Sequence, residues 1–147
     1  MKLCIVSSCG GHLTEVRRLR PAYATYEHFY ILNDRAILPG DMRGRTYFIT
    51  HSERDWRFLV NLWEAFAILR RERPQVILST GAGPAVPVAI IGRLLYSSKV
   101  IFVETLTSVH RPSLTARIMY YVAHRFFYQW EGLARYFPLG THGGLLL

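Results

Sequence analysis

Apolar residues along this chain fall into two kinds of stretch. Short apolar runs occupy 2–6 (Lys-Leu-Cys-Ile-Val), 28–32 (His-Phe-Tyr-Ile-Leu), 45–50 (Arg-Thr-Tyr-Phe-Ile-Thr), 75–79 (Gln-Val-Ile-Leu-Ser), 99–103 (Lys-Val-Ile-Phe-Val) and 125–129 (Arg-Phe-Phe-Tyr-Gln). They are rich in β-branched and aromatic residues, and each reads as a strand. Between them, apolar positions recur at helical spacing over 12–21, where Leu13, Val16 and Leu19 fall in register, and over 53–73, 84–96 and 112–123. Ser52 followed by Asp55 has the spacing of a capping box. Pro74 stops that helix, and Pro84 stands where a first helical turn accepts proline. Alternating strands and helices predict one α/β domain over 1–147. Its core would be a Rossmann-like open parallel sheet in the order 3-2-1-4-5-6, with helices on both faces.

Ligands of such sheets bind beyond the carboxyl ends of the strands. Three predicted loops lie there: 7–12 (Ser-Ser-Cys-Gly-Gly-His), 79–83 (Ser-Thr-Gly-Ala-Gly) and 104–108 (Glu-Thr-Leu-Thr-Ser). All are rich in small or hydroxyl residues. The first two run into helix N-termini, whose free N–H groups favour anions. The set suits a phosphorylated, hydroxyl-rich ligand, and its candidate binding residues are Ser8, Gly10, Gly11, Thr14, Thr80, Gly81, Gly83 and Thr105. His12 opens the first helix, either as a cap or as a general base toward a sugar hydroxyl. The positive helix end disfavours imidazolium and leaves such a ring able to accept a proton. Glu104 either orients an acceptor hydroxyl or accepts hydrogen bonds from loop amides. Asn33 and Asp34 stand where a dinucleotide site would hold ribose. The G-x-G-x-x-G fingerprint is nevertheless absent after the first strand, and no Walker A loop occurs.

Composition narrows the partners. A formal charge of +8 points to an anionic one. The arginines are scattered and no nucleic-acid motif is present, so phosphates and acidic lipid fit better than nucleic acid. Arg93 and Lys99 interrupt the longest apolar region, 82–103, so no transmembrane helix is predicted. The first residues lack the layout of a signal peptide, which predicts an intracellular protein. Cys4 and Cys9 have no second cluster to complete a zinc site, and no metal is expected. The helix over 53–73 carries more apolar surface than one buried face needs. Trp56, Phe58, Leu59 and Trp63 fit contact with a bilayer surface or another chain. The closing Leu145, Leu146 and Leu147 either pair onto the sheet or dock into a partner.

Five blocks carry a family resemblance: 8–15 (Ser-Cys-Gly-Gly-His-Leu-Thr-Glu), 79–84 (Ser-Thr-Gly-Ala-Gly-Pro), 103–105 (Val-Glu-Thr), 112–115 (Pro-Ser-Leu-Thr) and 125–130 (Arg-Phe-Phe-Tyr-Gln-Trp). In order, and over nearly the whole chain, they resemble the asparagine-linked glycosylation protein fourteen family. Its bacterial members are the PssD-type proteins of exopolysaccharide and capsule assembly. That family is similar to the N-terminal, acceptor-handling half of a GT-B glycosyltransferase of the MurG type, whose first glycine loop also ends in Gly-Gly-His. The resemblance implies a heterodimeric glycosyltransferase, inactive when split. This chain would hold a polyprenyl-pyrophosphate-linked acceptor and no cofactor. A separate donor-binding Rossmann-like subunit would hold the UDP-sugar. By the same resemblance His12 is the base and Glu104 an acceptor-side carboxylate, and transfer needs no metal. The apolar helix would dock on an anionic membrane surface, peripherally, on the inner face of the plasma membrane, and the leucine tail would grip the partner. The alternative is a non-catalytic scaffold that recruits a complete glycosyltransferase.

Overall fold

The computed structural model describes residues 1–38, 40–42, 44–50 and 56–146. Its strands are β1 (Lys2–Ser7), β2 (Glu27–Asn33), β3 (Thr46–Ile49), β4 (Val76–Ser79), β5 (Lys99–Val103), β6 (Arg125–Tyr128) and β7 (Thr141–His142). They form one sheet in the order β3-β2-β1-β4-β5-β6-β7, and every pairing is parallel. The predicted Rossmann-like order therefore stands, with one strand added at the edge. β7 is two residues long and exposed, too short for any alternation to betray it in sequence.

Both sheet faces are covered, as parallel strands require. Cys4, Val6, Phe29, Ile31, Ile77 and Phe102 point to one face and pack under α3 (Arg57–Glu72), α4 (Ala85–Tyr96) and α5 (Leu114–Val122). Their sequence neighbours Leu3, Ile5, Tyr30, Leu32, Leu78 and Val103 point to the other, under α1 (Gly11–Arg18) and α2 (Arg20–Tyr23). Coverage of that second face is incomplete. A groove of about 600 Å³ runs over Leu78, Ile101, Val103 and Phe127, with Leu146 along its rim.

Some helix bounds differ from expectation for identifiable reasons. The helix expected over 12–21 breaks at Leu19, and Pro21 falls in the first turn of α2, where a missing N–H costs nothing. α3 ends at Arg73 in the left-handed region (φ 45°), just before Pro74. α5 is capped by Ser113, whose Oγ accepts from Ala116 N at 3.0 Å. The Ser52–Asp55 capping box lies outside the described residues.

The apolar helix and the tail also need correction. Trp56, Leu59 and Trp63 are exposed on one stripe of α3, about 70% each. Phe58 turns away from them and packs against the core. Leu145 is exposed, whereas Leu146 folds back onto this chain's own second core cluster. Its N–H donates to Gln129 Oε1 (2.7 Å) and its carbonyl accepts from Arg18 Nη1 (2.5 Å). Leu146 is thus not offered to a partner. Leu147 lies outside the described residues.

Candidate functional site

The loops after β1, β4 and β5 meet at the carboxyl edge of the sheet, because β1 and β4 are neighbours and β5 lies next to β4. Gly10 precedes α1 with φ 66°, a left-handed conformation that glycine adopts without strain. Neither Gly10 nor Gly11 has an atom near the place a Cβ would take, so their backbone faces open space. Thr14 is exposed one turn on, with Oγ1 donating to Gly10 O at 3.4 Å.

His12 is the centre of the arrangement. Its Nδ1 lies 3.0 Å from Thr80 O, and its ring rests on Gly81. A carbonyl oxygen only accepts, so Nδ1 carries a proton, and in the neutral ring Nε2 is then the atom with the lone pair. The bond is answered in the other direction: Thr80 Oγ1 donates to His12 O at 2.9 Å. Gly81 has φ 102°, and a Cβ there would lie 3.2 Å from His12 Cε1, so both the backbone and the ring require glycine. The loop is also tied by Ser8 N to Gly81 O (3.3 Å) and by Gly81 N to Ser79 Oγ (3.1 Å).

Several candidates turn out to be structural. Glu104 is 1% exposed, and its two carboxylate oxygens accept from Ser113 N (2.9 Å) and Ser113 Oγ (3.1 Å). It anchors the N-cap of α5 and is not free to orient a bound hydroxyl. Thr80 is fully buried with its hydroxyl committed to His12, and Gly81 is covered by the His12 ring. Thr105 is buried and donates to Glu15 Oε1 at 2.9 Å. Of the sequence candidates at this edge, Gly10, Gly11, Thr14 and Gly83 are exposed and His12 is half-buried, whereas Ser8 is buried with its Oγ donating to Cys9 O at 3.4 Å.

Glu15 is the residue that sequence reasoning passed over. It sits one turn beyond His12 on the inner side of α1, 5% exposed. Its Oε1 also accepts from Leu106 N at 2.9 Å, so it fastens α1 to the loop after β5. Its Oε2 is buried with no partner among the described residues. A glutamate inside an amphipathic helix pattern, three residues from the histidine, was the available signal. The loop is held from its other side by Gln129 Nε2 to Glu104 O (2.9 Å) and Trp130 Nε1 to Leu106 O (2.6 Å). That explains the buried glutamine and the indole of the last motif block.

Beside these loops lies a small cavity of about 210 Å³, walled by Ser8, Cys9, Asn33, Thr50 and the 82–84 turn. It takes in the ends of β1, β2 and β3 and the loop after β4. His110 and Arg111 stand exposed on the segment between β5 and α5. Among the described residues no three His, Cys, Asp or Glu side chains gather to hold a metal ion. No described helix is long and apolar enough to cross a membrane.

A family model described as oligosaccharide biosynthesis protein Alg14 like matches residues 42–146. The chain belongs to this family. The Gly-Gly-His loop precedes the matched segment, yet full-length similarity includes it. The human UDP-N-acetylglucosamine transferase subunit ALG14 is 24% identical over 181 aligned residues, spanning 100% of this chain and 83% of that protein. The subunit of the same name from Candida albicans is 36% identical over 91 residues, 58% of this chain and 41% of that one. Among solved structures, Acinetobacter baumannii MurG superposes with a TM-score of 0.75 at 12% identity, over 89% of this chain and 42% of MurG. Family and fold thus agree with the GT-B-like resemblance. The chain spans less than half of the MurG it matches.

Proposed function

We propose that this chain is the acceptor-binding half of a two-chain glycosyltransferase that extends a polyprenyl-pyrophosphate-linked saccharide in polysaccharide or exopolysaccharide assembly. The observation that carries the reading is His12. Its Nδ1 lies 3.0 Å from Thr80 O, which as an acceptor takes the Nδ1 proton and makes Nε2 of the neutral ring the proton acceptor. Support comes from relatives named as UDP-N-acetylglucosamine transferase subunits and from a fold that matches 42% of MurG.

In this reading the acceptor hydroxyl gives its proton to His12 Nε2 as its oxygen attacks the anomeric carbon of the donor sugar. The bond from that carbon to the UDP oxygen breaks, and UDP leaves with the electron pair. The donor is held by a separate Rossmann-like subunit, as a heterodimer, and this chain binds no cofactor or metal of its own. The open backbone at Gly10 and Gly11 and the turn at Gly83 receive the acceptor's pyrophosphate. Exposed Trp56, Leu59 and Trp63 rest on the anionic cytoplasmic face of the plasma membrane, where a lipid-linked acceptor is presented. The chain alone is inactive, since it supplies only one wall of the cleft.

The test is transfer by the pair recovered from native membranes, with His12→Ala in this chain. A positioned base contributes about 10²–10⁴-fold, so the variant should lose at least about a hundredfold in kcat while its melting temperature holds. Transfer retained within a few-fold would remove the general-base reading and favour a scaffold role.

A further inference from the structure

We infer that Glu15 is a positioning residue for transfer: its grip on the loop after β5 fixes the pose of α1, and with it the imidazole of His12. The inference rests on the acceptor-side reading above.

α1 has little stability of its own. It is eight residues long, its cap residue Gly10 offers no side-chain hydrogen bond, and its first turn holds no acidic residue. Isolated helices shorter than ~12–15 residues are marginal in water. Leu13 and Val16 bury themselves in the second core cluster, but apolar contact is non-directional and leaves rotation and sliding open. Hydrogen bonds to neighbouring loops therefore set the angle of the helix.

The first anchor is His12 itself, through Nδ1 to Thr80 O (3.0 Å) and Thr80 Oγ1 to His12 O (2.9 Å). Both bonds meet α1 at one residue, so the helix can pivot about it. Glu15 supplies the second anchor. Three residues on, it stands about 4.5 Å further along the axis and on the same face. Its Oε1 accepts from Thr105 Oγ1 and Leu106 N, each at 2.9 Å. These groups belong to the loop after β5, whereas Thr80 follows β4. An anchor on a second loop stops the pivot.

The loop that Glu15 grips is itself fixed. Leu106 O accepts from Trp130 Nε1 at 2.6 Å, so both backbone polar groups of Leu106 are engaged. Glu104 N donates to Phe127 O (2.8 Å), and Glu104 O accepts from Gln129 Nε2 (2.9 Å). α1 is thereby referenced to β5 and β6. The grip asks for an accepting oxygen and not for a charge, because an amide N–H and a hydroxyl are neutral donors. Glutamine at this position keeps that oxygen, and alanine does not. A shift of ~1 Å at a reacting group can cost about a hundredfold in rate.

Two readouts test this. The first needs no ligand: nitrogen-15 spectra of the histidine rings in the full chain at pH 8, where an ordinary imidazole is neutral, with His12 assigned from His12→Ala. Wild type and Glu15→Gln should show the Nδ1–H tautomer that Thr80 O selects. Glu15→Ala should lose it to a mixture with the Nε2–H form. The second is transfer by the co-purified pair, from UDP-N-acetylglucosamine to a solvent extract of lipid-linked saccharide from native membranes, well below each variant's melting temperature. In Glu15→Ala kcat should fall at least about tenfold, while the extract concentration for half-maximal rate stays within about threefold. Glu15→Gln should hold kcat within about threefold of wild type. A Glu15→Ala chain that keeps the Nδ1–H tautomer, or keeps kcat within about twofold, overturns the inference. So does Glu15→Gln as slow as Glu15→Ala, which would make the charge and not the position decisive. If Glu15→Ala does not fold, Thr105→Val removes one of the two bonds with little change of shape, Thr105→Ser retains it, and the same comparison applies. His12→Ala decides the transfer reading separately. Transfer lost in His12→Ala and kept in Glu15→Ala removes the positioning role alone. Transfer kept in His12→Ala removes the general base, and the tautomer spectra still decide what holds the ring.

Discussion

Replacing Glu15 by Ala cuts the tie between α1 and the loop after β5, and the consequences can be sized. Two hydrogen bonds of 2.9 Å disappear, from Thr105 Oγ1 and from Leu106 N. Thr105 has a substitute in Thr107 Oγ1 at 3.2 Å, so its loss is partly made good. Leu106 N–H has none, and a buried donor left unpaired costs about 1–3 kcal/mol. The emptied volume adds about 1–2 kcal/mol. Against this, Glu15 Oε2 is already buried without a described partner, and removing it relieves about 1–2 kcal/mol of desolvation. The midpoints sum to a net loss of about 2 kcal/mol, or roughly 4–8 °C in melting temperature for a chain of this length. Glu15→Gln keeps the accepting oxygen and should lose less than about 1 kcal/mol. Urea unfolding gives the free energies, and amide hydrogen exchange reads the site. In Glu15→Ala, Leu106 N–H should lose protection while β1 and β4 amides keep theirs. An alanine variant within about 0.5 kcal/mol of wild type, with Leu106 still protected, would refute the clasp.

Other outcomes follow from the same geometry. Gly81→Ala forces a side chain into φ 102° and against the His12 ring, and should destabilise by about 1–3 kcal/mol in urea unfolding while displacing the base. Trp56→Ser with Trp63→Ser removes two exposed rings, each with on the order of 100 Å² of apolar surface. At ~25 cal/mol per Å², binding to anionic-lipid vesicles should fall more than about tenfold in a sedimentation assay, with unfolding unchanged. His124 accepts from Val100 N at 3.0 Å, and burial, then Arg93 and Lys99, hold its pKa below the ordinary 6.5. The folded state then binds fewer protons than the unfolded one, so this contribution is whole above pH 6.5 and is lost as pH falls through the lowered value. The hydrogen bonds from Lys2 and Tyr47 hold Glu72 below its usual 4.5, and its contribution goes in a second, more acidic step. Urea midpoints measured from pH 8 to 3 should fall in that order, and His124→Gln should remove the first step.

The chain's own pattern determined the architecture. Period-two strands with both faces apolar, alternating with helical periods, leave little besides a doubly covered parallel sheet, and the glycine turns mark which edge is functional. Local sequence also placed His12 at that edge, because a loop-to-helix junction is a short-range feature. Tertiary structure decided which polar side chains remain free for chemistry. Glu104, Thr80 and Thr105 look available when read along the chain, yet each is saturated by a partner at least nine residues away. Glu15 looks like an ordinary helical carboxylate and becomes a buried clasp only because α1 lies against the loop after β5. The 210 Å³ cavity is likewise invisible in sequence, since its walls come from four separated segments. Periodicity reports the direction in which a side chain points relative to its own element. What that side chain meets depends on which distant element the sheet order brings alongside.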